Sequence, residues 1–261
     1  MWATQGAFTC FTDALRAPEV GPLKSYIRRL FLIKDSSRGL LFSLGQGTCL
    51  AELDALSLEA ITQAAVRRAF DKDQIVCLEG DACPGLMIVE SGWLEVLKIS
   101  PQGREQVIRL AGPGEMFNEV SVMAGGDNLV TVKSLEASVV WLIRREILFE
   151  LMETHPLLGR SISQNLANHV LHLLDLIEDL SLRNVDGRLA HLLLNRSEDG
   201  VVQRQQWLTQ AEMAACIGTT PVIVSRGLNE LQDRGAIRLE RQKIYILEPE
   251  LLEAYEFQNY K

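Results

Sequence analysis

The stretch WLTQAEMAACIGTTPVIVSRGLNELQDRGAIRLE, residues 207–240, decides the fold of the C-terminal part of the chain. Thr209 can cap a helix over Glu212–Cys216, because Glu212 lies three residues further on and completes a capping box. The tripeptide at 217–219 contains a glycine, which takes positive φ without strain, and so predicts a sharp turn. We therefore expect a short helix followed by a tight turn at the start of this stretch.

A second helix is predicted after the turn. Thr220 can cap it, and Pro221 occupies its first position, where a missing amide hydrogen costs nothing. The helix runs to about Asp233, and Gly235 ends it. The apolar residues expected to pack the two helices together are Ala214, Ile217, Val224, Leu228 and Leu231.

This order of parts is typical of a helix-turn-helix, whose second helix enters the major groove of DNA. The segments AIRLERQ and KIYILEP that follow predict a two-stranded wing, with Arg238, Arg241 and Lys243 able to reach the DNA backbone. A plain pair of helices in an enzyme is the alternative, but it does not explain why caps, turn glycine, exposed arginine and wing occur in order. The residues predicted to contact DNA are Thr209, Gln210, Thr219, Thr220, Val222, Ser225, Arg226, Asn229 and Lys243.

A long helix is predicted over 157–182, after a short helix over 146–153 that stops near Pro156. Apolar residues recur along it at alternating intervals of four and three, the heptad spacing by which two helices pack together. The seam either joins two copies of the chain or packs the helix on its own β-domain, and its length favours the dimer. The seam residues are Ile162, Leu166, His169, Leu173, Leu176 and Leu180, of which His169 alone is polar.

Between residues 71 and 144, short β-rich runs such as LMIVES, WLEVLKI and SVVWLI alternate with turn residues. Glycines recur about every 11 residues, and this rhythm indicates an all-β sandwich or barrel. Loop glycines alone would explain each position but not their regularity. Ser91-Gly92 and Gln102-Gly103 are predicted as hairpin turns. Helices are predicted over 53–70 and 184–195, and a polar loop over 196–206.

The composition fits a globular protein: the chain has 261 residues, 47% of them hydrophobic, and a net charge of −8. No apolar run reaches the roughly 18 residues of a membrane helix, and the N-terminus lacks a signal-peptide pattern, so we expect a cytoplasmic protein. Residues 208–247 carry five basic and four acidic side chains, so the acidic excess lies elsewhere. The absence of P-loop, GxSxG, HExxH and dinucleotide motifs argues against an enzyme.

The sequence resembles the Crp–Fnr family of bacterial regulators over about residues 35–248, in LEGD (78–81), VESGWLEVLK (89–98), GREQVIRLAGPGEMF (103–117), RNVDGRLAHLLLN (183–195) and LTQAEMAACIGTTPVIVSRGLNEL (208–231). The resemblance implies an allosteric homodimer of class α+β that binds double-stranded DNA at a two-fold symmetric site and works with RNA polymerase. The expected parts are an N-terminal extension (1–35), a cyclic-nucleotide-binding-like sensor domain with a β-roll, or double-stranded jelly roll (36–156), a dimerisation helix (157–182) and a winged helix-turn-helix (183–261).

The effector pocket departs from the family pattern. Nucleotide-binding members carry Gly-Glu-Leu, then Arg-Ser or Arg-Ala about nine residues later. Here Glu119 matches the glutamate, whereas Asn118 replaces the glycine and Leu129-Val130 replaces the arginine pair. A buried cyclic phosphate would lose its charge-assisted partner, so cyclic AMP is not the expected effector. The predicted pocket residues are Asn118, Glu119, Leu129, Val130, Leu173 and Leu174, the last two in place of the polar residues that contact adenine.

The recognition helix departs as well. Many members carry Arg-Glu where this chain has Pro221-Val222, whereas Ser225 and Arg226 are kept. Arg226 can bind guanine O6 and N7, but an acceptor for cytosine N4 is lost. A DNA site unlike that of the best-known members is therefore expected. A protein that acts through protein contacts, with a weakened DNA-binding face, is the alternative function.

Cofactor chemistry stays open at this level. Cys10 is the only cysteine before position 49, which disfavours the N-terminal iron–sulfur cluster of some members. Haem remains possible, with His169 and His172 as candidate ligands and His155 and His191 as equally plain histidines. Cys77 and Cys83 are expected as buried apolar side chains, with a reactive thiol as the alternative.

Overall fold

A computed structural model describes residues 53–203 and 208–257; Cys10, Cys49 and the extension 1–35 lie outside them. The helices are α1 (Ala55–Ala64), α2 (Glu119–Ala124), α3 (Arg145–Thr154), α4 (Pro156–Leu182), α5 (Val185–Asn195), α6 (Gln210–Ile217), α7 (Pro221–Asp233) and α8 (Pro249–Phe257). The strands are β1 (Val66–Phe70), β2 (Ile75–Cys77), β3 (Leu86–Ser91), β4 (Leu94–Ile99), β5 (Glu105–Ala111), β6 (Met116–Phe117), β7 (Thr131–Ser134), β8 (Ser138–Ile143), β9 (Val201–Gln203), β10 (Ile237–Leu239) and β11 (Lys243–Ile246).

The first eight strands form two antiparallel four-stranded sheets, in the orders β1-β8-β3-β6 and β2-β7-β4-β5. Val89, Phe117 and Val140 of the first sheet are buried together with Leu94 and Val132 of the second. The other face of the first sheet packs on α1, α3 and the start of α4. The predicted β-roll is therefore confirmed, and so is the α+β class, because helices and the antiparallel sheets occupy separate parts of the chain.

The predicted helix over 53–70 is wrong in its second half. Helix α1 ends at Ala64, Ala65 is extended, and Val66–Phe70 pairs with β8 as an antiparallel strand. Arg67 lies on the exposed side of this strand and makes two hydrogen bonds of 3.0 Å to the carboxylate of Glu90 on β3. The strand forms because it completes a sheet with residues some seventy positions away, and this tertiary pairing overrides the apolar helical pattern.

Two further local predictions change. Gln102-Gly103 does join a hairpin, since β4 pairs with β5 and Gly103 has φ +79°. Ser91-Gly92 does not, because β3 and β4 belong to different sheets and the turn carries the chain between them. The segment predicted as a polar loop over 196–206 contains β9, which pairs with β11 beside the wing.

Helix α4 has two different parts. Leu158 and Ile162 are each 1% exposed and pack in the core of the chain's own β-roll, with Leu166 partly buried against it. From Val170 onward the apolar side chains are largely exposed, with Ile177 at 58%. Packing on the own β-domain, the alternative interpretation, thus describes the first part, and Ile162 is not available to a partner. Within the described ranges, no helix has the length and apolar character that spanning a membrane requires.

Candidate DNA-binding face and effector pocket

Helix α6 is the first helix of the helix-turn-helix, and it begins two residues before the predicted position. The Thr209 hydroxyl accepts hydrogen bonds from the backbone N–H groups of Ala211 (3.2 Å) and Glu212 (3.4 Å), as the predicted cap requires. The Glu212 half of the predicted capping box is not seen, since its buried Oε2 has no hydrogen-bond partner among the described residues. Met213 and Ile217 turn their side chains into the C-terminal core. The cap thus fixes the first residue of the helix, and the buried side chains fix which face of the helix packs against the C-terminal core.

The turn after α6 is held by side chains from outside the helix-turn-helix. Gly218 has φ +66°, and a Cβ there would approach the Gln106 Oε1 atom to 2.7 Å. Three consecutive carbonyls accept side-chain hydrogen bonds. Cys216 O accepts from Gln106 Nε2 at 3.1 Å, Ile217 O from Arg188 Nε at 2.8 Å, and Gly218 O from Arg104. Because Arg104 and Gln106 belong to the β4–β5 hairpin, the β-roll touches the turn that precedes the recognition helix.

The recognition helix α7 presents a polar stripe that is preceded by two apolar residues, Pro221 and Val222. Val224 and Leu228 are buried, as predicted, whereas Val222, Ser225 and Arg226 line a shallow open groove. Asn229 continues the stripe, and Glu230 and Asp233 follow at its C-terminal end. Thr220 does occupy the N-cap position, but its side chain makes no capping hydrogen bond, contrary to prediction.

The wing consists of β10 and β11, which pair from Ile237 to Ile246. The Arg238 guanidinium lies 4.5 Å from the centre of the Tyr245 ring, and Arg241 is exposed at the loop between the strands. Lys243 is half-buried beside β9. Of the predicted contact residues, Gln210 borders the groove of α7, Thr209 and Thr219 lie at the ends of α6, and Lys243 stands apart on the wing.

The predicted effector pocket holds a buried polar cluster. Asn118 has φ +71°, a conformation that asparagine tolerates better than most residues and that glycine adopts freely. Its Nδ2 donates to Asn128 Oδ1 at 3.0 Å and to Gly85 O at 3.2 Å. Glu119, 2% exposed, is paired through Oε1 with His169 Nδ1 on α4. Asn118 Oδ1 and Glu119 Oε2 are buried without a hydrogen-bond partner in the described part of the chain.

The remaining predicted pocket residues are less buried than this cluster. Leu129 and Leu174 are about half exposed, Leu173 is similar, and Val130 is partly buried against the β-roll core. Sequence reasoning placed His169 in the dimer seam and missed its pairing with Glu119. Its one signal was a polar residue at an apolar heptad position. Asn128 carried no signal, because nothing in the spacing relates it to Asn118.

The cysteines of the described part are poor nucleophiles. Burial raises the pKa of Cys77 to about 12, and burial raises the pKa of Cys216 to about 11. Cys83 is partly exposed and burial raises its pKa too, while its Sγ accepts from Asn118 Nδ2 at 3.3 Å. Among residues 53–203 and 208–257 no three His, Cys, Asp or Glu side chains are grouped to hold a metal ion.

Each of the four histidines makes a polar contact within the chain. His172 Nε2 lies 2.9 Å from Ile108 O, and His191 Nδ1 lies 2.8 Å from Glu256 Oε1. His155 Nδ1 contacts the Thr154 hydroxyl. Of the two candidate haem ligands, His169 contacts Glu119 through Nδ1 and His172 contacts a backbone carbonyl through Nε2, so neither contact uses the second ring nitrogen.

Comparison with known proteins matches both halves of the chain. The family model of the cyclic nucleotide-binding domain matches residues 67–155, and that of the Crp-like helix-turn-helix domain matches residues 187–255. A "Cyclic AMP receptor protein" of Thermus thermophilus is 28% identical over 191 residues, 73% of this chain and 88% of the relative. A "CRP-like cAMP-activated global transcriptional regulator" of Mycobacterium tuberculosis is 26% identical over 202 residues, 75% of this chain and 90% of the relative.

Solved structures show the same architecture. FixK2 from Bradyrhizobium japonicum superposes with a TM-score of 0.65 at 19% identity, covering 74% of this chain and 97% of that one. The c-di-GMP-responsive regulator CLP of Xanthomonas campestris superposes with a TM-score of 0.66 at 22% identity, covering 74% and 99%. At these identities the likeness is one of fold.

Proposed function

The chain belongs to the Crp–Fnr family of DNA-binding transcription regulators, and we propose that it acts as a homodimer on a two-fold symmetric DNA site without responding to cyclic AMP. Its relatives are transcription regulators. We therefore propose that this chain is not an enzyme, that it binds DNA in the cytoplasm, and that it contacts RNA polymerase. The observation that carries the proposal is the groove-lining stripe of Val222, Ser225, Arg226 and Asn229 on the second helix of a complete helix-turn-helix, in which all but Ser225 are exposed.

The second part of α4 supports the homodimer. Val170, Leu174 and Ile177 are 56–58% exposed, and Leu173 and Leu180 are 41% exposed. A helix face with this many apolar side chains is costly in water, and a second copy of the same helix would bury it by heptad packing. The proposed seam therefore keeps Leu173 and Leu180 of the predicted one. The proposed seam also includes Val170 and Ile177, in place of His169 and Leu176 of the predicted seam.

The pocket supports an effector other than cyclic AMP. Leu129 and Val130 stand where nucleotide-binding members carry an arginine, and they offer no charge-assisted hydrogen bond to an anionic phosphate. Two relatives are named for cyclic AMP, but the groups present here differ from the arginine cassette that the family pattern requires. Asn118 Oδ1 and Glu119 Oε2 are unpaired hydrogen-bond acceptors among the described residues, so the effector we expect is a neutral or cationic hydrogen-bond donor.

The contacts of the turn support an allosteric route. The β4–β5 hairpin holds the carbonyls of Cys216 and Gly218 through Gln106 and Arg104. The His169–Glu119 pair ties the pocket to the helix that carries the proposed dimer seam. A rearrangement at either contact would change the direction of α7 relative to a second copy, and so the spacing of two recognition helices.

The test is a salt titration of DNA binding by the full chain, on a symmetric duplex selected from a random pool and on a scrambled duplex. We expect preference for the selected duplex, and an affinity that falls steeply, by about 10³-fold or more between about 50 and 200 mM salt for a dimer making six or more phosphate contacts. Binding that neither prefers the selected duplex nor weakens with salt would overturn the proposal. It would favour the alternative, an action through protein contacts.

A further inference from the structure

Val222 is an apolar side chain in a place where packing does not need it. It is 78% exposed, on the first turn of α7, and it faces the open groove rather than the C-terminal core. Valine is also a poor choice for helix stability, because its branched side chain loses rotamer freedom against the preceding turn. Neither the core nor the helix therefore accounts for a valine at this position.

The neighbours of Val222 restrict what part of α7 can approach DNA. Ser225 and Arg226 lie three and four residues further on, on the same face. Glu230 and Asp233 occupy the C-terminal end of that face, and their carboxylates repel phosphate. The first two turns of the helix are thus the part suited to the groove, and Val222 is the exposed large apolar side chain among them.

The major groove offers an apolar group to such a side chain, the 5-methyl group of thymine. We infer that Val222 is a specificity-determining residue that selects thymine through this methyl group, an inference that rests on the proposed DNA binding. One helical turn of about 5.4 Å separates Val222 from Arg226, and base pairs rise by about 3.4 Å. The thymine therefore lies one or two base pairs from the guanine that Arg226 binds.

The experiment removes the thymine methyl group from the DNA and, separately, truncates the Val222 side chain of the protein. A duplex site is first selected from a random pool with the full chain, and each thymine in the half-site is then replaced by deoxyuridine. Burial of one methyl group is worth about 0.8 kcal/mol, so we expect about fourfold weaker binding at one position. Val222→Ala, which loses both γ-methyl groups and their reach, should bind the thymine and uracil duplexes equally, whereas Val222→Thr, which keeps one γ-methyl group, should retain the difference.

Val66→Ala is the matched control, because it removes the same atoms from a 45% exposed valine on β1, away from the groove. It should keep the full response to deoxyuridine. Equal binding of thymine and uracil duplexes by the unmodified chain overturns the inference and leaves the proposed function standing. So does a response that survives in Val222→Ala. A chain that selects no sequence from the pool overturns both.

Discussion

On α7, Val222 and Arg226 project from the surface into an open groove, whereas Asn118 and Glu119 of the β-roll are buried and bonded to side chains of the same chain. Both regions lie in segments that resemble one family, and both depart from its pattern. The departures have different physical consequences. At the groove the differing residues leave an open surface, because Val222 is exposed and lines the groove.

At the pocket the same kind of substitution is followed by internal pairing. Asn128 meets the amide of Asn118, and His169 meets the carboxylate of Glu119. Buried polar groups left unpaired are costly, and these contacts satisfy part of the cluster, while Asn118 Oδ1 and Glu119 Oε2 stay without a partner among the described residues. The two regions thus differ in that the groove side chains are exposed, whereas the pocket side chains are buried and partly paired within the chain.

The largest expected effect comes from opening the pocket. His169→Ala leaves the Glu119 carboxylate, whose side chain is 3% exposed, without its partner. Leaving a buried polar group without its hydrogen-bond partner costs about 1–3 kcal/mol or more, and the Glu119 carboxyl is almost fully buried, so we expect the free energy of unfolding to fall by about 3 kcal/mol. His172→Ala on the exposed side of α4 is the control, and chemical denaturation followed by tryptophan fluorescence is the measurement. Equal losses in the two variants would contradict the buried pairing.

At the groove, stability and function should separate. Arg226→Ala removes an exposed side chain, so the free energy of unfolding should stay within about 0.5 kcal/mol. Its loss at a guanine should weaken binding by about 2 kcal/mol, roughly 30-fold, for each half-site of the selected duplex. Arg241→Ala on the wing should instead weaken all sequences alike and lower the salt slope by about one for each copy of the chain. A uniform loss for Arg226→Ala would show that it binds phosphate and not a base.

These two regions also differ in how far the sequence predicts them. The signals for the helix-turn-helix lie within thirty residues of each other: the Thr209 cap, the Gly218 turn and Pro221 at the start of α7. Each of these signals acts on the backbone within a few residues of itself, so it can be recognised in the sequence alone. The exposed stripe then follows from helical periodicity alone.

The pocket depends on contacts distant in sequence. Glu119 and His169 are fifty residues apart, and heptad spacing alone assigns His169 to a dimer seam. The strand at 66–70 was predicted as helix for the same reason, since its partner β8 lies far along the chain. Ser91-Gly92 has the residues of a turn, but those residues do not say which strands it connects. Local signals thus predict elements and bends, whereas pairing across the chain decides the pocket.

Gln106 tests whether the two regions communicate. Its Nε2 donates to Cys216 O across the interface between the β-roll and α6. Gln106→Ala should remove about 1 kcal/mol of net stabilisation, so amide hydrogen exchange at the end of α6 should rise by about fivefold. Gln102→Ala, an exposed glutamine of the same hairpin, is the matched control. Unchanged exchange in Gln106→Ala would mean that the hairpin lies against the turn without holding it.

The smallest expected difference compares the two threonines before the helices of the helix-turn-helix. Thr209 accepts two backbone hydrogen bonds as a cap, whereas the side chain of Thr220 makes none. Thr209→Ala should lower the free energy of unfolding by about 1 kcal/mol, and Thr220→Ala should leave it within about 0.5 kcal/mol. Thr220 adjoins the groove, so its replacement should be measurable in DNA affinity instead. Equal destabilisation by both substitutions would mean that Thr220 caps α7 in solution, and that the start of the recognition helix is fixed by more than Pro221 and the turn.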